Sequence, residues 1–525
     1  MFRQRPARLD WQFWAILLMR DRRCGIFALT AGLMLAGCRH GQDPPSTVVM
    51  VIESSPTNLD PRIGTDGQSE HIDSLIFDAL VRRDEHFNVQ PWLAQSWETP
   101  EPLTYIFHLR SGVKFHDGRS LTSKDVQWTL NSILKGSVPT VKLQAYRNVT
   151  SVDAPDPLTV VIHLKQPDPG LLPSLSDGAI GIIPAGSGRD FGRHPIGSGP
   201  FRFVSQEQDK EVVIERNPNY WSQPPNLERV RFGVVPDSIT RALELQKGSA
   251  DVAVNALSAD QVFALRNDPR IAMETGPGTV LNYISFNSRD PVLKDVRARQ
   301  AIAAAINRPL IIHTLWRDQA RLAESLLPID HWAWTGDVET HNFNPAKANA
   351  ILDNAGYKRG KDGIRFHLTI KTSTDETTRT LAVVIQQQLR DVGIALDVRT
   401  FEFATFYADI TKGAFQMYTL RWIGAEDPDI FRYAYATASE PPHGANRGYY
   451  SNPTVDTLIA KAAVTANQSD RAAIFKQIQQ ILAIELPSID LWYLDTVIVH
   501  NRRLENIKLS SSGNFDFLRD ATLQP

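Results

Sequence analysis

The sequence has almost no cysteine: Cys24 and Cys38 are the only two in 525 residues. Everything after Cys38 must therefore fold without a disulfide, a zinc–thiolate centre or a Cys nucleophile. A body of this size buries enough core to do so, unlike small secreted domains that need cross-links. An excess of charge is lacking too. With 56 Lys and Arg against 58 Asp and Glu the formal charge is -2. No basic stripe for neutralising phosphates follows, and nucleic acid is excluded as a partner. Several catalytic signatures are missing when tested literally: Gly-x4-Gly-Lys-Ser/Thr, His-Glu-x-x-His and Gly-x-Ser-x-Gly. Gly197-Ser198-Gly199 has no helix pattern after it and reads as a backbone turn. His108 and His116 could converge across a hairpin but have no third metal ligand beside them. Nothing in the sequence calls for a metal or a cofactor.

What is present is an ordinary globular composition, 42% hydrophobic and 22% charged, long enough for two or three lobes. The amino terminus is distinct. Residues 1–37 hold six Arg against two Asp, so the remainder carries the negative balance. The uncharged run from Cys24 to Gly37 is too short to cross a bilayer core of about 30 Å but suits a signal-peptide core. It ends Leu35-Ala36-Gly37-Cys38, which resembles a bacterial lipobox. Residues 1–37 are thus expected to be a signal peptide and Cys38 to be lipidated, with 38–46 as a tether; a signal anchor with an incidental Cys is the alternative. Met19 offers a second start with a compact basic segment after it.

Along the body, Val48 to Ile52 reads as a buried strand. Tyr105 to Leu109 alternates, and with Val113 to Phe115 it predicts a hairpin. Thr122 and Asp125 make a capping box for a helix carrying Val126, Leu130 and Ile133 on one face. Arg229 to Val235, a helix capped by Asp237 and ended by Gly248, and Asp251 to Val254 form a β-α-β unit. Ile364 to Ile370, a helix through Leu381, Ile385 and Leu389, and Ala395 to Val398 form another. Two such crossovers predict two parallel or mixed sheets rather than one barrel. Asn344-Pro345 starts a helix and Gly356 stops it. Ser469-Asp470 opens another, and Leu491 to Val499 follows Pro487 as a strand.

One segment is dense in groups that recognise small polar ligands: Arg421-Trp422-Ile423-Gly424-Ala425-Glu426-Asp427-Pro428-Asp429. Its acids can accept charge-assisted hydrogen bonds from an ammonium, and the indole supplies a flat wall. A surface turn with solvated acids is the other reading. A second polar cluster, Pro442 to Tyr450, contains Arg447 and reads as a loop.

Taken in order, several blocks resemble the family 5 solute-binding proteins of bacterial ABC importers, which include dipeptide, oligopeptide and nickel-complex binding members. They are Thr57 to Pro61, Ile76 to Leu80, Leu93 to Glu98, Tyr105 to Gly118, Ile196 to Phe201, Ala250 to Val252, Val296-Arg297 with Ala305 to Arg308, and Ala346 to Tyr357. The resemblance implies an α/β two-lobed clamshell of the type II periplasmic-binding-protein class, with an extra domain in the first lobe. Lobe I would combine 47–66, 191–278 and 489–525, the extra domain 67–190, and lobe II 279–488. It further implies a monomer anchored to the membrane, periplasmic or at the cell surface. Such a protein captures a small solute, expected to be short peptides, and delivers it to a permease driven by separate ATPase subunits. Trp422, Glu426, Asp427, Asn282 and Tyr283 are expected to line the ligand site, with Arg447 opposite for a carboxylate. In peptide-binding members an Asp three positions after the matching Trp takes the ammonium; here that position is Ala425. A sugar, an opine or a metal chelate is then an alternative ligand, and a peptide-processing enzyme or a ligand-sensing receptor the alternative roles.

Overall fold

The computed structural model describes residues 46–176 and 180–524. The leader expected over 1–37 and the lipidation expected at Cys38 fall outside them.

The first strand, β1 (Thr47–Ile52), is buried along nearly its whole length. Asp66 then caps α1 (Gly67–Ile76) by accepting a hydrogen bond from the Ser69 amide. The hairpin β2 (Val81–Arg83) and β3 (Val89–Pro91) follows, then β4 (Ala94–Glu101) and β5 (Thr104–Leu109). α2 (Ser123–Leu134) starts at the expected capping box of Thr122 and Asp125. With β6 (Val149–Asp156) and β7 (Thr159–Leu164), these make a four-stranded antiparallel sheet ordered β4-β5-β7-β6.

The hairpin expected between 105–109 and 113–115 does not form. β5 pairs with β4 and β7 instead, and the 113–115 run keeps only a bridge between Lys114 and Ser120. Burial explains the exchange: Val113 and Phe115 turn into the core beside Val126 and Leu130. His108 and His116 accordingly part company. His108 lies beside Glu98 at 3.3 Å, while His116 reaches the Gly199 carbonyl at 3.1 Å.

The strands that join β1 in the large sheet are β8 (Phe201–Glu207), β9 (Glu211–Arg216), β10 (Arg229–Val234), β11 (Val252–Val254), β12 (Ile271–Phe286), β13 (Ala320–Leu322), β14 (Phe366–Ser373), β15 (Ile394–Phe401), β16 (Met417–Trp422) and β17 (Ser488–Asn501). Both β-α-β units are present. α3 (Ser238–Lys247) links β10 to β11, capped by Asp237 and ended by Gly248 at φ 79°. α4 (Pro345–Asn354) begins at the predicted Pro. α5 (Glu376–Asp391) links the parallel pair β14 and β15. α6 (Phe403–Thr411) and α7 (Gln468–Glu485) complete the elements that bear on the site.

The two units do not lie in two separate sheets, as the sequence suggested. One eleven-stranded sheet runs β15-β14-β16-β12-β17-β11-β1-β10-β9-β8, with β13 added on β17. The cause is the length of β12 and β17, 16 and 14 residues, which pair antiparallel through the middle of the molecule. One stretch of β17 puts Ile498 into a core with Val48 and Phe232; another puts Leu491 and Trp492 into a core with Ile284 and Leu368. Their register breaks between Gly276 and Val280. There a Cβ on Gly278 would sit 2.3 Å from the Leu494 carbonyl oxygen, so only glycine lets the strands meet so closely.

A third core, from Leu80 to Ile182, belongs to the four-stranded sheet. α1 is not part of it: Ile72, Leu75 and Ile76 pack with β1 and β10. The core of the four-stranded sheet thus begins at Leu80, while α1 turns its apolar face to the large sheet.

Candidate functional site

β12 and β16 pair antiparallel, with Asn282 opposite Arg421 and Tyr283 opposite Leu420. Strict alternation would send neighbouring side chains to opposite faces. The β12–β17 register shifts between Asn282 and Tyr283, however, and both residues line one cavity of about 500 Å³. Trp422 and Arg447 line it too. Trp422 stacks on Tyr283 with ring centroids 5.7 Å apart and planes 14° from parallel, and meets Tyr433 edge-on at 6.2 Å. Burial pushes the Tyr283 phenol up from its ordinary value, so it stays a neutral donor.

Arg447 does not stand across from this wall, as expected, but within it. Its guanidinium lies 5.8 Å from the Trp422 ring and 5.1 Å from that of Tyr407, and donates to the Tyr407 hydroxyl at 2.8 Å. The Gly-rich loop carrying it is held by Asn446, which donates to the Ala436 and Tyr450 carbonyls.

Sequence reasoning missed Phe403 and Tyr407, which line the same cavity from α6. Their signal was available: two aromatics four apart, both substantially exposed although apolar. Asp375 was missed as well; it caps α5 through the Thr378 amide and lies 3.7 Å from Arg421.

Glu426 and Asp427 do not line this cavity, because the chain leaves it after Ile423. The Glu426 carboxylate pairs with Arg83 of β2 at 2.8 Å and borders a second cavity of about 220 Å³. Asp427 borders a third, of about 640 Å³, with Arg147, Asp168, Asp429 and Arg432. Burial pushes the Asp427 carboxyl up, against the hydrogen bond from the Asp429 amide. Tyr433 lines both the first and the third cavity.

The β2–β3 hairpin makes further contacts across this region. Phe87 stacks on His331 at 5.3 Å, the Trp332 amide donates to the His86 carbonyl, and Gln468 donates to Asn88 at 2.8 Å. Burial lowers His331 from 6.5 to about 4. Held neutral when folded, it binds its proton only near pH 4, whereas the unfolded chain binds it near 6.5. The unfolded state therefore holds more protons between these values, and His331 subtracts stability as pH falls through that window. Melting temperatures at pH 7 and pH 4.5 should show a smaller acid loss in His331→Gln than in the unmutated protein; equal losses would contradict this.

Among the described residues no cluster of three or more His, Cys, Asp or Glu could hold a metal ion. Residues 88–442 match the family model described as bacterial extracellular solute-binding proteins, family 5 Middle. The chain is 26% identical to the dipeptide-binding protein of Escherichia coli (strain K12), covering 89% of this chain and 91% of that one. It is 30% identical to the glutathione-binding protein GsiB of Pectobacterium atrosepticum, covering 90% and 94%. The crystal structure of NikZ from Campylobacter jejuni in complex with Ni(L-His) superposes with a TM-score of 0.75 at 25% identity, covering 91% of this chain and all of that one.

Proposed function

The chain belongs to family 5 of the bacterial extracellular solute-binding proteins, and from that premise we propose that it captures a short peptide or a solute of similar size and polarity in the first and third cavities. Its relatives are substrate-binding components of ABC importers, not enzymes, and the same role holds for this chain. The peptide-processing alternative falls with it.

One observation carries the finer reading: the first and third cavities share Tyr433 and differ in character. The first has an aromatic wall and Arg447; the third has Asp168, Asp427 and Asp429. A ligand with an anionic group meets a cation and an aromatic wall in the first cavity and mixed charge in the third, where Arg147 and Arg432 stand beside the acids. The names of the dipeptide-binding and glutathione-binding relatives agree with such a ligand. Trp422, Tyr283 and Asn282 form the wall with Arg447 beside it, while Glu426 and Asp427 act on the side facing the extra segment. Lobe II, over 279–488, closes on the lobe built from 47–66, 191–278 and 489–525 by pivoting at the Gly276–Val280 break. Lipidation at Cys38 holds the protein at the membrane beside its permease, and two acyl chains suffice for stable anchoring.

The test is a ligand-dependent change of shape. A copurified or added dipeptide at about 100 times its Kd should raise native stability by ~2.7 kcal/mol and reduce the radius of gyration in small-angle scattering. The peptide must be recovered unchanged. Steady hydrolysis, or stabilisation without compaction, would refute the reading.

A further inference from the structure

The Arg447 guanidinium is unusual in its charge balance. The residue is 6% exposed, yet it forms no ion pair with a carboxylate among the described residues. Its one side-chain hydrogen bond goes from Nη2 to the Tyr407 hydroxyl, and Nη1 is buried with no acceptor. A guanidinium cannot shed its proton to relieve this, and burying an uncompensated charge is costly. The aromatic faces of Tyr407 and Trp422 offset part of that cost. They do not neutralise the charge.

The other polar groups of the same cavity follow the same sign. Asn282 is 4% exposed, its Oδ1 already accepts from Arg421, and its Nδ2 is a buried donor without an acceptor. The one carboxylate lining the cavity, Asp375, is committed to the Thr378 amide and to Arg421. Arg447 is thus left as the net charge of the cavity. The acids that could read an ammonium lie elsewhere: Asp427 borders the third cavity, where it accepts from the Asp429 amide. Glu426 is paired with Arg83, Asp429 with Arg432, and Asp168 accepts from Asn148. Ala425, three residues past Trp422, is buried and contributes no charge.

We propose that this cavity recognises an oxyanion, a carboxylate or a phosphate, seated at Arg447 against the Trp422–Tyr283 wall, and that a free amine on the ligand is dispensable. The inference rests on the solute-capture reading and goes further by naming the group that is read. It places the anionic end of the ligand beside Trp422. A planar or apolar portion next to the oxyanion then covers the exposed faces of Phe403 and Tyr407, which are 53% and 39% exposed.

The experiment compares five probes by isothermal titration on the full mature chain: alanyl-phenylalanine, its N-acetyl form, its carboxyl amide, glucose 6-phosphate and glucose. N-acetylation should change the dipeptide's affinity by no more than about threefold, whereas amidation should weaken it by about thirtyfold or more. Binding of glucose 6-phosphate but not of glucose, with no dipeptide bound, assigns phosphate as the oxyanion and equally supports the proposal. Arg447→Met keeps the stem between the two rings, and Arg447→Lys keeps the charge. The first should abolish the discrimination between acid and amide, and the second should restore much of it. A purely structural Arg447 would lower the melting temperature of both variants while leaving the acid-to-amide ratio intact, and that result overturns the proposal. Loss of binding on acetylation with tolerance of amidation overturns it too. A protein that binds none of the five, and releases no small molecule on denaturation, overturns the solute-capture reading along with it.

Discussion

Replacing Asp78 by Ala should cost the protein ~4 kcal/mol, read as a shift of the urea midpoint with an unchanged slope. Asp78 is 1% exposed and lies just before the extra segment's core. Its two carboxylate oxygens accept from four side chains: the Trp92 indole at 2.9 Å, the Ser198 hydroxyl at 2.8 Å, the Tyr220 phenol at 2.9 Å and the Trp221 indole at 2.9 Å. Burial pushes its pKa up, opposed by these donors and by Arg519. Removing the carboxylate leaves three buried donors and the half-buried Trp221 facing a void, and the penalty is chiefly the desolvation of the buried ones. Asp78→Asn keeps the shape and one accepting oxygen, so it should cost about half as much. Losses below ~1 kcal/mol for Asp78→Ala would show that water replaces the carboxylate without penalty.

The same hub explains the Gly197-Ser198-Gly199 turn. Gly197 and Gly199 pass so close to the Ile76 backbone that a Cβ on Gly197 would sit 1.9 Å from its carbonyl oxygen. Ser198 is thereby delivered to Asp78 as a hydrogen-bond donor. The sequence announced a turn there, but its partner at Ile76 and Asp78 is distant in the chain.

That contrast runs through the whole molecule. Caps and crossovers were legible because their causes are local: Asp125 lies three residues from Thr122, and Gly248 supplies a left-handed φ directly after its helix. The clamshell was legible only through the resemblance of the ordered blocks from Thr57 onward to the family. Strand partners were not legible, since alternation at Tyr105 to Leu109 gives a face but not a neighbour. The single sheet escaped for the same reason: the lengths of β12 and β17 emerge only when they pair. At the site, the aromatic character of Trp422 and Tyr283 could be read from composition. The destinations of the charges could not. Three acids within Glu426 to Asp429 read as one cluster, yet the fold sends Glu426 to Arg83, Asp429 to Arg432, and Asp427 into the third cavity.

The destination of Glu426 leads to the second large effect, weakened ligand binding when Arg83 is changed to Met. Arg83 stands on the extra segment and Glu426 beyond β16, and their side chains are 24% and 14% exposed. A pair this buried gains from Coulomb attraction what its desolvation costs, so it is nearly neutral as a unit but expensive when halved. If closing the cleft brings the two together, the cost of an unpaired Glu426 is charged only to the closed state. Arg83→Met should then weaken affinity by about thirtyfold, the equivalent of ~2 kcal/mol, chiefly through faster release. Glu426→Gln alone should weaken it by a comparable factor. The double variant supplies the decisive measurement, because with neither charge present nothing is left unpaired, and most of the affinity should return. Stopped-flow association and release of the copurified ligand give the rates for all four proteins. If the two losses simply add in the double variant, Arg83 and Glu426 do not act as a pair in closure.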